Sequence, residues 1–165
     1  MHRRQLTSIT LLLVTFVLSR LIFDHDNSFL CNLWFWQYLD AKLLRTDLLR
    51  SIWFLHSQPP LLNAMLGLVM KLFPTGYPFA LQICFWILGI TLILSLFFLL
   101  LEFEVPLMVA VSLTVLFELA PATLAYESWY YDTYPTAALL TIGTDWGNSA
   151  IANPARASRC EKATN

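Results

Sequence analysis

An all-α integral membrane protein, a helical transmembrane bundle carrying amphipathic juxtamembrane helices on its external face, is the fold class this sequence predicts. Three observations carry that reading. Of the 165 residues, 58% are hydrophobic and only 13% are charged, and the mean hydropathy is +0.62. Three runs, 5–23, 79–101 and 105–126, have the roughly 17 to 25 residues needed to cross a hydrocarbon core about 30 Å thick. Inside those runs the only charged residues are Arg20, close to an end, and Glu118. A net charge of -1, with no basic patch and no stacking platform, sets nucleic acid aside as a partner. Cys31, Cys84 and Cys160 are odd in number and have no C-x-x-C spacing, which supports neither a zinc site nor a disulfide framework.

The first run follows Met1-His2-Arg3-Arg4 and is continued by Ser19-Arg20-Leu21-Ile22-Phe23 rather than by the small residues of a cleavage site. It reads as an uncleaved span. Arg3 and Arg4 hold its start in the cytoplasm by the positive-inside bias, which delivers Asp24 to the outer or lumenal side. A bacterial cytoplasmic membrane and an endoplasmic reticulum fit this charge pattern equally.

The loop 24–58 is not an ordinary polar connection. Between Leu33 and Leu55 apolar residues recur at helical spacing, with Leu39, Leu43, Leu44, Leu48, Ile52 and Leu55 on one stripe. Gln37, Asp40, Arg45, Asp47, Arg50 and Ser51 fall largely opposite. The pattern predicts one or two helices lying in the interface, with Trp34, Trp36, Tyr38 and Trp53 at headgroup depth.

Pro59 and Pro60 then suit the first turn of a new helix, which Pro74-Thr75-Gly76-Tyr77-Pro78 stops. Over 59–73 that helix reaches only about 21 Å at about 1.5 Å per residue. The length favours a re-entrant or interfacial helix, in which case 126–134 shares the external face with His56; a spanning helix would put them on opposite faces.

In the third run, Pro121 follows Glu118 by three residues and predicts a kink. An intramembrane carboxyl there either packs within the bundle or serves a site. Past it, Glu127-Ser128-Trp129-Tyr130-Tyr131-Asp132-Thr133-Tyr134-Pro135 forms an aromatic and acidic belt of the kind found at a membrane boundary. An apolar helix begins at 136 and reaches Gly143. The segment 144–165 is polar and aperiodic, and composition predicts a disordered tail. The domain organisation is thus a membrane part over 1–143 followed by that tail.

Chemistry concentrates outside the first span and before the Pro-Pro helix. Asp24 and Asp26, with His25 between them, place two carboxylates where they can take a proton from an acceptor hydroxyl or hold a divalent cation; ordinary turn polarity explains them too. Asp40 lies on the polar face of the amphipathic helix, either as a base or as a solvated surface charge. His56 and Gln58 precede a helix N-terminus, whose free amide protons and dipole suit a phosphate. Arg20 either snorkels outward or binds a lipid phosphate. Glu127 and Asp132 complete the acidic inventory, as cavity-facing groups or as an interfacial belt.

Arg20, the acidic amphipathic loop, the W-F-L-H-S-Q-P-P-L-L-N-A-M-L-G-L-V-M-K-L-F-P run and the Y-E-S-W-Y-Y-D-T-Y-P belt together resemble polytopic glycosyltransferases of the C superfamily, and within it the family 39 or aminoarabinose-transferase-like branch. The resemblance covers 20–140, and H-S-Q-P-P is its most specific part. It implies transfer of a sugar from a polyprenyl- or dolichyl-phosphate donor to a protein, lipid or glycan on the external or lumenal face. It also implies that Asp24, Asp26 or Asp40 acts as base or metal ligand, that His56 and Gln58 lie near the lipid phosphate, and that Glu127 or Asp132 is a second acidic position. No metal is identified by the residues themselves. Family members carry eight or more spans, so this chain is expected to correspond to the N-terminal part of such an enzyme. A noncatalytic membrane subunit or scaffold, or an inactive remnant, is the competing expectation.

Overall fold

The computed structural model describes residues 2–23, 39–54, 60–128 and 131–152, and among them helix is the one kind of regular secondary structure. Eight helices follow one another among these residues: α1 (His2–Phe23), α2 (Ala41–Thr46), α3 (Leu48–Trp53), α4 (Pro60–Leu72), α5 (Tyr77–Glu102), α6 (Leu107–Leu119), α7 (Pro121–Ser128) and α8 (Thr133–Ala152). Two segments, Arg4–Phe23 and Tyr77–Glu102, are long and apolar enough to cross a membrane, and the bent pair α6–α7 makes a third if it is one span.

The 26-residue α5 is apolar around its whole circumference and is the element on which the others assemble. One core packs Leu12 and Phe16 of α1 with Ile93 and Phe97 of α5 and Ala110 and Val111 of α6. A second packs Leu44 and Leu48 of α2 and α3, Leu62, Leu66, Val69 and Met70 of α4, Leu81, Phe85 and Leu92 of α5, and Tyr134 and Ala138 of α8. The most extensive helix pairing is α5 with α8. Thr15 meets Glu118 and Arg20 meets Glu127, so α1 runs parallel to α6 and α7. The opposite end of α1, at Arg4 and Gln5, lines a cleft of about 640 Å³ with Leu101 and Leu107, where α5 ends and α6 begins; α5 is therefore antiparallel to both.

The turn between those two helices is a Schellman motif. Val105 N donates to Leu100 O at 3.1 Å and Glu104 N to Leu101 O at 3.0 Å. Such a turn needs a left-handed residue, here Glu104 at φ 59°. At the other end of the bundle, α6 and α7 meet at 53°. Ala120 is extended at φ -60° and ψ 132°, the conformation favoured before a proline, and Pro121 opens α7. The expected kink is there, and its cause is the residue that predicted it.

The described part of the loop forms two short helices, within the one or two expected, but they pack differently from a simple interfacial stripe. In the described part the helix is broken into α2 and α3 at Asp47, whose backbone (φ -138°, ψ 52°) is not helical. Its apolar stripe is not one open surface: Leu44 and Leu48 are buried against α4, whereas Leu43 is exposed, as are Leu49 and Trp53 beside the stripe. Gly67 permits that approach, since a Cβ there would strike the Leu48 side chain. Asn63 of α4, fully buried, accepts a hydrogen bond from Leu39 N at 2.8 Å and ties down the chain entering α2. Arg45 of α2 lies over the Tyr77 ring at 5.0 Å, which places α2 at the end of the bundle where α5 starts. A final difference concerns the tail: α8 continues to Ala152, past the change in composition at Thr144.

Candidate functional site

The polar groups of greatest consequence lie inside the bundle, where α1, α6, α7 and α8 converge. Arg20, in the last turn of α1, is 2% exposed. Its Nε donates to Glu127 Oε1 at 3.1 Å and Oε2 at 3.2 Å, and Nη2 donates to Glu127 Oε2 at 2.6 Å. The planar guanidinium thus grips one carboxylate in a fork, the strongest form of charge-assisted hydrogen bonding available to side chains. Nη1 donates to Ser19 Oγ at 2.9 Å and stands 3.7 Å from Glu118 Oε1. The Phe16 ring packs 3.9 Å below the guanidinium carbon, adding a cation-π contact on its open face.

Two neighbours complete the cluster. Tyr134, at the start of α8, donates its hydroxyl to Glu127 Oε2 at 2.7 Å. Burial, reinforced by the Glu127 carboxylate, pushes the Tyr134 phenol above its ordinary range, so it remains a donor. Thr15 Oγ1 lies 3.3 Å from Glu118 Oε2. Local chemistry explains why the residues meet: Pro121 turns α7 back toward α1, which brings Glu127 over Arg20, and Gly89 leaves room beside α5. A Cβ at Gly89 would stand 2.7 Å from Tyr134 Oη and 2.9 Å from the Phe16 ring.

Two of the candidates named from sequence, Arg20 and Glu127, are therefore brought together, in a form the sequence did not indicate. Arg20 does not snorkel, because a buried carboxylate satisfies it where an apolar span end would have driven it outward. Glu127 is 3% exposed and no part of a solvated belt. Glu127 thus occupies the Nε/Nη2 edge of the guanidinium, one that a lipid phosphate could otherwise take in a fork.

Asp40 is exposed and caps α2, accepting a hydrogen bond from Lys42 N at 2.7 Å. Asp132 is half-buried, and its carbonyl accepts from Thr136 N at 3.1 Å and Thr136 Oγ1 at 2.8 Å at the start of α8. Asp24, Asp26, His56 and Gln58 lie outside the described residues. Among the described residues no three His, Cys, Asp or Glu side chains come together as a metal site. The space between the carboxyls of Glu118 and Glu127 holds the Arg20 guanidinium, which fills the place a divalent cation would need.

Tyr134 was visible in sequence only as one aromatic of a belt, and nothing in the spacing distinguished it from Tyr131. Comparison of the chain with family models, with curated proteins and with solved structures gives no match.

Proposed function

We propose that the chain belongs to a membrane glycosyltransferase that takes a sugar from a polyprenyl- or dolichyl-phosphate donor and passes it to an acceptor at the external or lumenal face. One observation supports this reading: the described candidates Arg20, Asp40, Glu127 and Asp132 lie toward the same half of the bundle, with Arg20 and Glu127 paired inside it and Asp40 and Asp132 at helix starts. That is the half where α1 finishes just before Asp24, where α2 packs beside the start of α5, and where α7 hands over to α8.

In this reading a carboxylate among Asp24, Asp26 and Asp40 takes the proton of the acceptor hydroxyl as its oxygen attacks the anomeric carbon. The bond to the lipid phosphate breaks with inversion, and the departing phosphate is received by His56, Gln58 and the free amide protons at the start of α4. Positioning and charge stabilisation do most for such a displacement. Arg20 and Glu127 act from behind, fixing α1 to α7 so that the groups on either side keep their register.

A second reading has an observation of its own. Arg20 and Glu127 satisfy each other in a sealed pair, which suits a noncatalytic membrane subunit whose polar residues hold helices together.

Membranes containing the chain, incubated with a photoreactive polyprenyl phosphate, separate the two. The enzyme reading expects crosslinks mapping to 56–63 that fall in His56→Ala and Gln58→Ala, and transfer of radiolabelled sugar from a polyprenyl-phosphate donor that falls in one of the variants Asp24→Asn, Asp26→Asn or Asp40→Asn. Absence of both signals, with cysteines at positions 57 and 128 labelled from opposite faces, rejects it.

A further inference from the structure

We infer that Glu118 is held as a neutral carboxylic acid that donates its proton to Thr15, which makes it a proton-binding site inside the bundle. Counting hydrogens leads there. A threonine hydroxyl carries one hydrogen. Thr15 Oγ1 stands 3.0 Å from Leu11 O and 2.9 Å from Leu12 O, the carbonyls of its own helix, and 3.3 Å from Glu118 Oε2. With the threonine proton turned to the nearer carbonyls, the contact with Glu118 has a donor only if the carboxyl supplies one.

The second oxygen points the same way. Glu118 Oε1 is buried without a hydrogen-bond partner, and the nearest cationic atom, Arg20 Nη1, is 3.7 Å away. An orphaned oxygen costs far less on a neutral carbonyl than on a carboxylate.

Charge agrees with both. The ionisable groups acting on Glu118 are Arg20 on α1 and Glu127 on α7, with Tyr134 on α8 bound to Glu127. The helix α5, packed along α6, carries no ionisable side chain between Cys84 and Glu102. Glu127 already holds Nε and Nη2 of the guanidinium. A second carboxylate would leave a net negative charge at a residue with 0% exposure, whereas a proton on Glu118 makes the cluster neutral.

A neutral carboxyl in apolar surroundings is the target of hydrophobic carbodiimides. The acid's proton passes to one carbodiimide nitrogen, the carboxyl oxygen bonds to the central carbon, and an acyl shift to the other nitrogen leaves a stable N-acylurea. The test treats the full chain in detergent micelles at neutral pH with dicyclohexylcarbodiimide and maps the product by mass spectrometry. The label is expected on Glu118 and not on Glu127 or the exposed Glu104. An infrared difference spectrum between wild type and Glu118→Gln is expected to lose a protonated carboxyl band, with the unfolding midpoint of the variant close to wild type because the amide is neutral and similar in shape. Labelling that spares Glu118, a spectrum without the lost band, or a fall in midpoint as large as that of Glu127→Gln overturns the inference.

Discussion

Arg20 Nη2 and Glu127 Oε2 lie 2.6 Å apart although 107 residues separate them in the chain. The pair joins the first helix to the seventh. Removing one partner leaves a buried charge without its counter-ion, a loss of about 3 to 5 kcal/mol. Arg20→Ala and Glu127→Ala should each reach that range in reversible unfolding in detergent micelles, while Arg20→Met with Glu127→Leu should lose distinctly less than the sum. Additive losses would show that the two side chains do not interact.

Tyr134→Phe deletes the hydroxyl that donates to Glu127 Oε2. A hydrogen bond to a charged group contributes about 1.5 to 3 kcal/mol, and the variant should lose stability in that range. The pH dependence follows from the raised phenol. An unfolded tyrosine ionises near about pH 10 and the folded one only above it, so this group's contribution is complete below about pH 10 and is lost as the pH rises further. Unfolding measured between about pH 8 and about pH 12 should show the wild type losing its advantage over Tyr134→Phe at the alkaline end.

Gly89→Ala puts a methyl group against Tyr134 Oη and the Phe16 ring. Overpacking of this kind costs about 1 to 3 kcal/mol. In a Tyr134→Phe background the added loss should shrink, since one of the two obstructing groups has gone; an unchanged loss in the double variant would place the clash at Phe16 alone.

Glu104→Gly should stabilise. The left-handed backbone at φ 59° costs an L-residue about 1 to 2 kcal/mol, which glycine avoids, though its freer unfolded chain offsets part of the gain. A rise in unfolding midpoint is expected, with the bundle otherwise unchanged by circular dichroism.

The features legible in the sequence were those fixed by local chemistry. Pro121 announced the bend between α6 and α7 because a proline restricts its own backbone and that of the residue before it. Long apolar runs announced α1 and α5 because helix length against bilayer thickness needs no tertiary information. The pattern allowed one or two helices but did not locate the break at Asp47, since no proline or glycine marks it and the apolar stripe runs through it. Arg20 and Glu127 each stand among the candidates, yet a single sequence carries no signal pairing positions so far apart. The role of Tyr134 depends on that pairing and on the space at Gly89, and so could not be read before the helices were assembled.

The parallel course of α1 and α7 also sets an order of events in biogenesis. The ribosome adds Arg20 to the chain 107 residues before Glu127, an interval of roughly 5 to 20 s at about 5 to 20 residues per second. Throughout that time the first helix holds an arginine without the carboxylate that it grips in the assembled bundle. Its place in the last turn of α1 would keep the side chain within snorkelling reach of the headgroups until α7 arrives. Docking of α7 is thus expected to withdraw that charge from the surface, and an accessible Arg20 would mark a chain in which α1 and α7 have not met.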